Sequence, residues 1–177
     1  MKVSQIASGL SPLPVQFPDC CLSLSTTLLG TLTQLLPERP KFTLSVGSGS
    51  GLLEALLSHH DASRSVEGVE VSSNVNRYID EEDMHVAGGA WDLNARAQQA
   101  SALMFVYPRE PRLVSRYIET YGSEIGNLEQ IVWLGPKADW ADYETCFRNS
   151  HYSEVLFLGD EDGLAPYETG VIARRHI

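Results

Sequence analysis

The sequence predicts an α/β domain: a seven-stranded, mostly parallel sheet with an antiparallel pair at its C-terminal end and helices on both faces. Three observations predict it. From Phe42 onward, short apolar runs alternate with helix-period segments. Such units pack as right-handed crossovers in a largely parallel sheet. The last two apolar runs, Glu154–Leu158 and Thr169–Ala173, are joined by a loop (Gly159 to Pro166) too short for a parallel crossover. They must therefore pair antiparallel. Finally, 177 residues at 43% hydrophobic and 20% charged suit one domain with a sizeable core.

Residues 1–19 carry Pro12, Pro14 and Pro18 and read as an extended leader. Cys20–Leu36 is predicted helical, because Leu22, Leu28, Leu29, Leu32, Leu35 and Leu36 fall near helical spacing. Asp19 serves as its expected cap, and Pro37 and Pro40 end it. Phe42–Val46 then reads as the first strand and Gly51–His59 as a helix. Ser65–Val71 and Met84–Ala87 are the next strands, and Asp92–Ala100 is a short helix or loop. Ala102–Val106 is the fourth strand. Pro111–Tyr121 is a helix with Leu113, Tyr117, Ile118 and Tyr121 on one side. Leu128–Leu134 is the fifth strand and Ala138–Arg148 the last helix. The expected organisation is a leader and N-terminal helix (1–36) and a core (37–177) in one compact domain, with no internal repeat.

The formal net charge of −10 repels phosphate backbones, so nonspecific nucleic-acid binding is not expected. The run Asp80-Glu81-Glu82-Asp83 reads as a solvated helix end or loop, or as a patch for a basic partner. Adjacent Cys20 and Cys21 with a lone Cys146 do not make a disulfide scaffold. The five histidines lack ligand spacing to the cysteines, so no metal site is expected, and His59-His60 reads as an exposed helix end. There is no continuous apolar segment of signal-peptide or membrane-spanning type, which makes the cytosol or nucleus the expected compartment.

Chemistry concentrates at Leu44-Ser45-Val46-Gly47-Ser48-Gly49-Ser50-Gly51 followed by Leu52–Leu57. A buried strand, a tight glycine turn and a helix N-terminus form a cofactor cradle in that order. Glycine is needed where the chain turns sharply and its backbone approaches a ligand. A dinucleotide fingerprint, G-x-G-x-x-G, would place its last glycine at Leu52, which disfavours a nicotinamide oxidoreductase. Glu70, 19 residues after Gly51, ends the second strand, where an acid can accept hydrogen bonds from both ribose hydroxyls of a nucleoside. Glu67 is at the start of that strand, on the wrong edge.

The spacing of Gly47, Gly49 and Gly51, with Glu70 and the antiparallel end of the sheet, resembles class I S-adenosylmethionine (SAM) dependent methyltransferases. The resemblance covers roughly residue 20 to the end. It implies a Rossmann-like methyltransferase sheet and SAM as cofactor. It places Ser45, Gly47, Ser48, Gly49 and Gly51 around the cofactor, with Glu70 and Val71 at its ribose. Gly89 and Trp91, in the loop after the third strand, fall on the adenine side.

Two departures accompany the resemblance. Most relatives carry Asp or Glu two residues before the first glycine, near the methionine amino group, where this chain has Ser45. Amino-methylating members often carry Asp or Asn, then Pro-Pro and an aromatic, after the fourth strand; here the stretch is Tyr107-Pro108-Arg109, which counts against an adenine or glutamine N-methyltransferase. Tyr107 and Arg109 are the candidate catalytic residues, the first able to donate or accept a hydrogen bond, the second able to hold an anion bidentately. Tyr143, His151 and Glu168 read as surface residues with possible auxiliary roles. The reading is a SAM-dependent methyltransferase of unspecified acceptor with an open pocket and no capping domain. The alternative is a methyltransferase-like protein without methyl transfer: a regulatory or scaffolding subunit, or a pocket reused for another reaction. A partner subunit or the leader 1–36 could supply a lid, and a partner protein or a homo-oligomer is compatible with the sequence.

Overall fold

The computed structural model describes residues 2–175; Met1, His176 and Ile177 lie outside the described residues. A short helix, α1 (Val3–Gly9), precedes a hairpin of β1 (Val15–Phe17) and β2 (Cys20–Leu24). The chain continues through α2 (Thr26–Leu35), β3 (Thr43–Val46), α3 (Leu52–His60), β4 (Val66–Glu70) and β5 (Met84–Val86). It closes with β6 (Ala102–Val106), α4 (Pro111–Tyr121), β7 (Gln130–Pro136), α5 (Trp140–Arg148), β8 (Glu154–Leu158) and β9 (Glu168–Arg174). The main sheet has the order β5-β4-β3-β6-β7-β9-β8. Five neighbouring strands run parallel, and β9 is antiparallel to both β7 and β8.

The N-terminal quarter differs from expectation. Residues 2–19 are not simply extended, and Cys20–Leu36 is not one helix. Leu22 and Leu24 alternate along a strand, and both are fully buried. The helix starts at Ser25, whose hydroxyl accepts from the Leu28 amide at 3.0 Å and donates to the Gly163 carbonyl at 2.8 Å. Ser25 therefore caps the helix in place of Asp19. The two-residue turn Pro18-Asp19 joins β1 to β2.

Two apolar layers sandwich the sheet. On one face Ile6 of α1, Leu28, Leu29 and Leu32 of α2, and Leu52, Leu53, Leu56 and Leu57 of α3 cover Met104, Val132, Leu134 and Ile172. On the other, Val114, Tyr117 and Ile118 of α4 and Tyr143 and Phe147 of α5 cover Leu103, Phe105, Ile131, Trp133 and Val171. Burying each such side chain contributes about 1.5–3 kcal/mol. The connection from β4 to β5 holds two 3₁₀ turns, Ser73–Val75 and Glu81–Asp83, and that from β5 to β6 holds one, Ala95–Gln98, in place of α-helices. Asp92–Ala100 is thus a loop with one such turn. The edge strand β8 leaves Val155, Leu156 and Phe157 exposed. Among the described residues no helix is long and apolar enough to cross a membrane.

Candidate functional site

Strand order reverses between β3 and β6: β3 passes its chain to β4 on one side and neighbours β6 on the other. In open α/β sheets that switch point, at the carboxyl ends of the strands, is the ligand crevice. The glycine turn after β3 lies there. Gly47, Gly49 and Gly51 all adopt left-handed φ values, +76°, +58° and +80°. Their alternate spacing is thus a backbone requirement, since a Cβ is disfavoured at each. The three differ in what surrounds them. A Cβ on Gly51 would lie 2.5 Å from Ile79 Cγ1, whereas a Cβ on Gly47 or Gly49 would meet nothing within 4 Å. Gly51 is packed by the protein. Gly47 and Gly49 border open space that a ligand can fill.

Glu70 closes one side of this turn. Its Oε1 accepts from the Gly49 amide at 2.8 Å and its Oε2 from the Val71 amide at 3.1 Å. The carboxyl is anchored at the turn with lone pairs remaining for further donors. Ser48 lines the same turn, its hydroxyl 3.9 Å from Met84 Sδ. Beyond Glu70, Val71, Val86 and Trp91 are about half exposed, at 49%, 53% and 52%. Val86 ends β5, and Val71 and Trp91 lie in the loops that follow β4 and β5. The loop carrying Gly89 and Trp91 is tied to α4: Arg116 donates to the Trp91 carbonyl, and the Tyr117 hydroxyl accepts from the Asn94 amide at 3.0 Å. Glu67 does lie away from this edge. It is buried, pairs with Arg96 through both oxygens at 2.8 Å, and meets His85 Nε2 at 2.7 Å. Burial opposes its charge, but these hydrogen bonds prevail and hold its carboxyl below the usual range.

Ser45 is fully buried and faces α3, where its hydroxyl donates to Glu54 Oε2 at 2.9 Å. Glu54, on the first turn of α3, is only 2% exposed. Burial pushes its carboxyl up to about 7, against the hydrogen bonds from its own amide and from Ser45 and with the help of the nearby Glu70 charge. Sequence reading passed over Glu54. The signal was an acid amid Leu52, Leu53, Leu56 and Leu57, on a helix with nowhere to hide it.

The β6 end is built around a second buried acid. Tyr107 holds φ +48°, a strained value for a non-glycine residue at the end of a central strand. Its hydroxyl donates to Glu168 Oε2 at 2.6 Å. Burial, then this hydrogen bond, raises the phenol far above its ordinary value. Glu168 is fully buried, not on the surface, and also accepts from the Ser23 amide at 3.2 Å and the Ala165 amide at 3.3 Å. Tyr143 is buried too, donating to the Pro108 carbonyl at 2.7 Å, whereas His151 is exposed. Arg109 is exposed, and no ion pair among the described residues includes it.

The β1–β2 hairpin links the two halves of the edge. Ser50 donates to the Asp19 carbonyl at 2.9 Å, and Tyr78 donates to Asp19 Oδ2 at 2.8 Å. At its other end Ser23 meets Glu168. A segment expected to be a leader therefore spans from the glycine turn to Tyr107. A separate cavity of about 560 Å³ lies between α4 and α5, lined by Ser115, Ile118, Thr145, Cys146 and Asn149, away from this edge.

This architecture is the class I SAM-dependent methyltransferase fold. A SAM-dependent methyltransferase from Aquifex aeolicus superposes with a TM-score of 0.60 at 12% identity, covering 84% of this chain and 89% of that one. The methyltransferase domain of bacterial CtHen1 gives 0.59 at 16%, covering 84% and 97%. A predicted O-methyltransferase, protein Atu636 from Agrobacterium tumefaciens, gives 0.58 at 13%, covering 85% and 80%. No protein-family model matches the sequence, and no curated protein does. At these identities the likeness is one of fold.

Proposed function

We propose that the chain is a SAM-dependent methyltransferase whose cofactor lies across the glycine turn. One observation carries the reading: Gly47 and Gly49 present left-handed backbone to open space, with Glu70 anchored on the same turn. The residues present fit a nucleoside that bears an amino-acid arm. Gly47, Ser48 and Gly49 would let it approach the backbone, Glu70 would take the ribose hydroxyls, and Val71, Val86 and Trp91 would flank the base. When bound, SAM supplies a methyl group on a sulfonium sulfur, already a good leaving group. The chain's task is then alignment and exclusion of water. Tyr107, its hydroxyl turned to Glu168, serves as a rigid wall beside the transfer site rather than as a base. Arg109 offers a guanidinium to an anionic part of the acceptor.

Calorimetric titration with SAM and S-adenosylhomocysteine tests this. Both should bind, and Glu70→Ala should weaken both. No heat with either nucleoside at millimolar concentration removes the reading.

A further inference from the structure

Glu54 is a buried acid without a cation. The residue is 2% exposed, and among the described residues no ion pair includes it. A carboxyl so placed either stays protonated or awaits a positive charge. The groups that face it add none. Ser45 of β3 is a hydroxyl donor at 2.9 Å. Glu70, at the end of β4, is acidic and destabilises its charge. Cys20 of β2, within electrostatic range, is a thiol pushed up to about 12 by burial and then by Glu54 itself. The position is specific: Glu54 is three residues beyond Gly51, it is bonded to a serine two residues before Gly47, and it lies within electrostatic reach of the acid that holds the Gly49 amide.

We propose that Glu54, delivered from α3, is the anionic receptor for the ammonium group of the ligand's amino-acid arm, and that it takes up this charge by releasing one proton to solvent. The inference rests on the nucleoside pocket proposed above. The proton balance is simple. The free protein holds Glu54 as the acid with Ser45 beside it. In the complex the carboxylate faces an ammonium that keeps its own protons, and one proton passes to buffer. A serine precedes the glycine turn because the charge comes from the helix, and a second acid on β3 would sit against the first. Cofactor affinity thereby becomes pH-dependent near neutrality.

The test is calorimetric titration of the full chain with S-adenosylhomocysteine and with 5′-methylthioadenosine, which lacks the amino-acid arm, in two buffers of different ionisation enthalpy. S-adenosylhomocysteine should bind about tenfold more weakly at about pH 6 than at about pH 8, with close to one proton released at the lower value. Methylthioadenosine should show neither effect. Glu54→Gln should flatten the pH dependence, abolish the proton release and leave methylthioadenosine binding intact, which also reports that the variant is folded. Binding of S-adenosylhomocysteine that is flat with pH and buffer, or equal in Glu54→Gln, overturns the role of Glu54 while leaving the pocket standing. Failure of both nucleosides to bind the unaltered chain overturns the pocket and this inference together.

Discussion

Glu54→Gln should make the ligand-free protein more stable at alkaline pH. The folded chain raises this carboxyl from 4.5 to about 7, chiefly through burial. As pH rises between those values, the unfolded chain gives up the proton first. The folded state therefore binds more protons, and stability falls with increasing pH. Below the unfolded value nothing is lost; above about 7 the penalty is complete. A shift of this size is worth about 3 kcal/mol at 1.36 kcal/mol per unit. Glutamine keeps the shape and cannot ionise, and a poorer hydrogen bond with Ser45 costs about 1 kcal/mol. The variant should thus exceed the parent by about 2 kcal/mol at about pH 8 and fall slightly below it at about pH 4. Denaturant unfolding of both proteins at the two pH values measures the difference, and titrations common to both cancel. A constant difference across that range would refute the account of Glu54 as a neutral acid in the free protein.

Further outcomes follow from the same geometry. Gly51→Ala, with φ +80° and Ile79 Cγ1 at 2.5 Å from the new Cβ, should lose about 2–4 kcal/mol of unfolding free energy. Gly49→Ala meets only the left-handed backbone cost of about 1–2 kcal/mol, yet should abolish S-adenosylhomocysteine binding by filling the cradle; thermal melting and calorimetry separate the two effects. Glu168→Ala strands the Ser23 and Ala165 amides and the Tyr107 hydroxyl, costing about 3–5 kcal/mol, and hydrogen exchange should show the Ser23 amide opening ahead of the sheet. Glu67 behaves oppositely to Glu54. Its folded value is depressed, so its contribution is present above the ordinary carboxylate range and is lost as pH falls through the folded value. Arg96→Ala should accordingly bring acid unfolding to a higher pH.

The core was legible wherever periodicity stayed pure. Ala102–Val106, Pro111–Tyr121 and Glu154–Leu158 carry the same bounds in sequence and structure. The N-terminus misled because two periods share one leucine series. Leu22 and Leu24 keep a strand's alternation, Leu28, Leu29 and Leu32 keep a helix's, and Ser25 is the seam between them. The Ser25 hydroxyl reaches Gly163, 138 residues away, which no local window contains. At the site, the glycine spacing announced its own backbone conformation. Glu54 was silent because its isolation from any cation shows only in three dimensions, and Glu168 read as a surface residue because its partners come from β2, the turn after β6 and the loop before β9.

The position of β9 has a consequence for how the protein comes into being. It follows β8 in sequence, yet it lies between β7 and β8. During synthesis β8 emerges before its neighbour β9, and the Ser23 amide waits for Glu168, 145 residues further along. The carboxyl edge therefore cannot close strand by strand behind the ribosome. It closes in one event that joins segments 145 residues apart, and until then the exposed apolar residues Val155, Leu156 and Phe157 of β8 are open to wrong pairing.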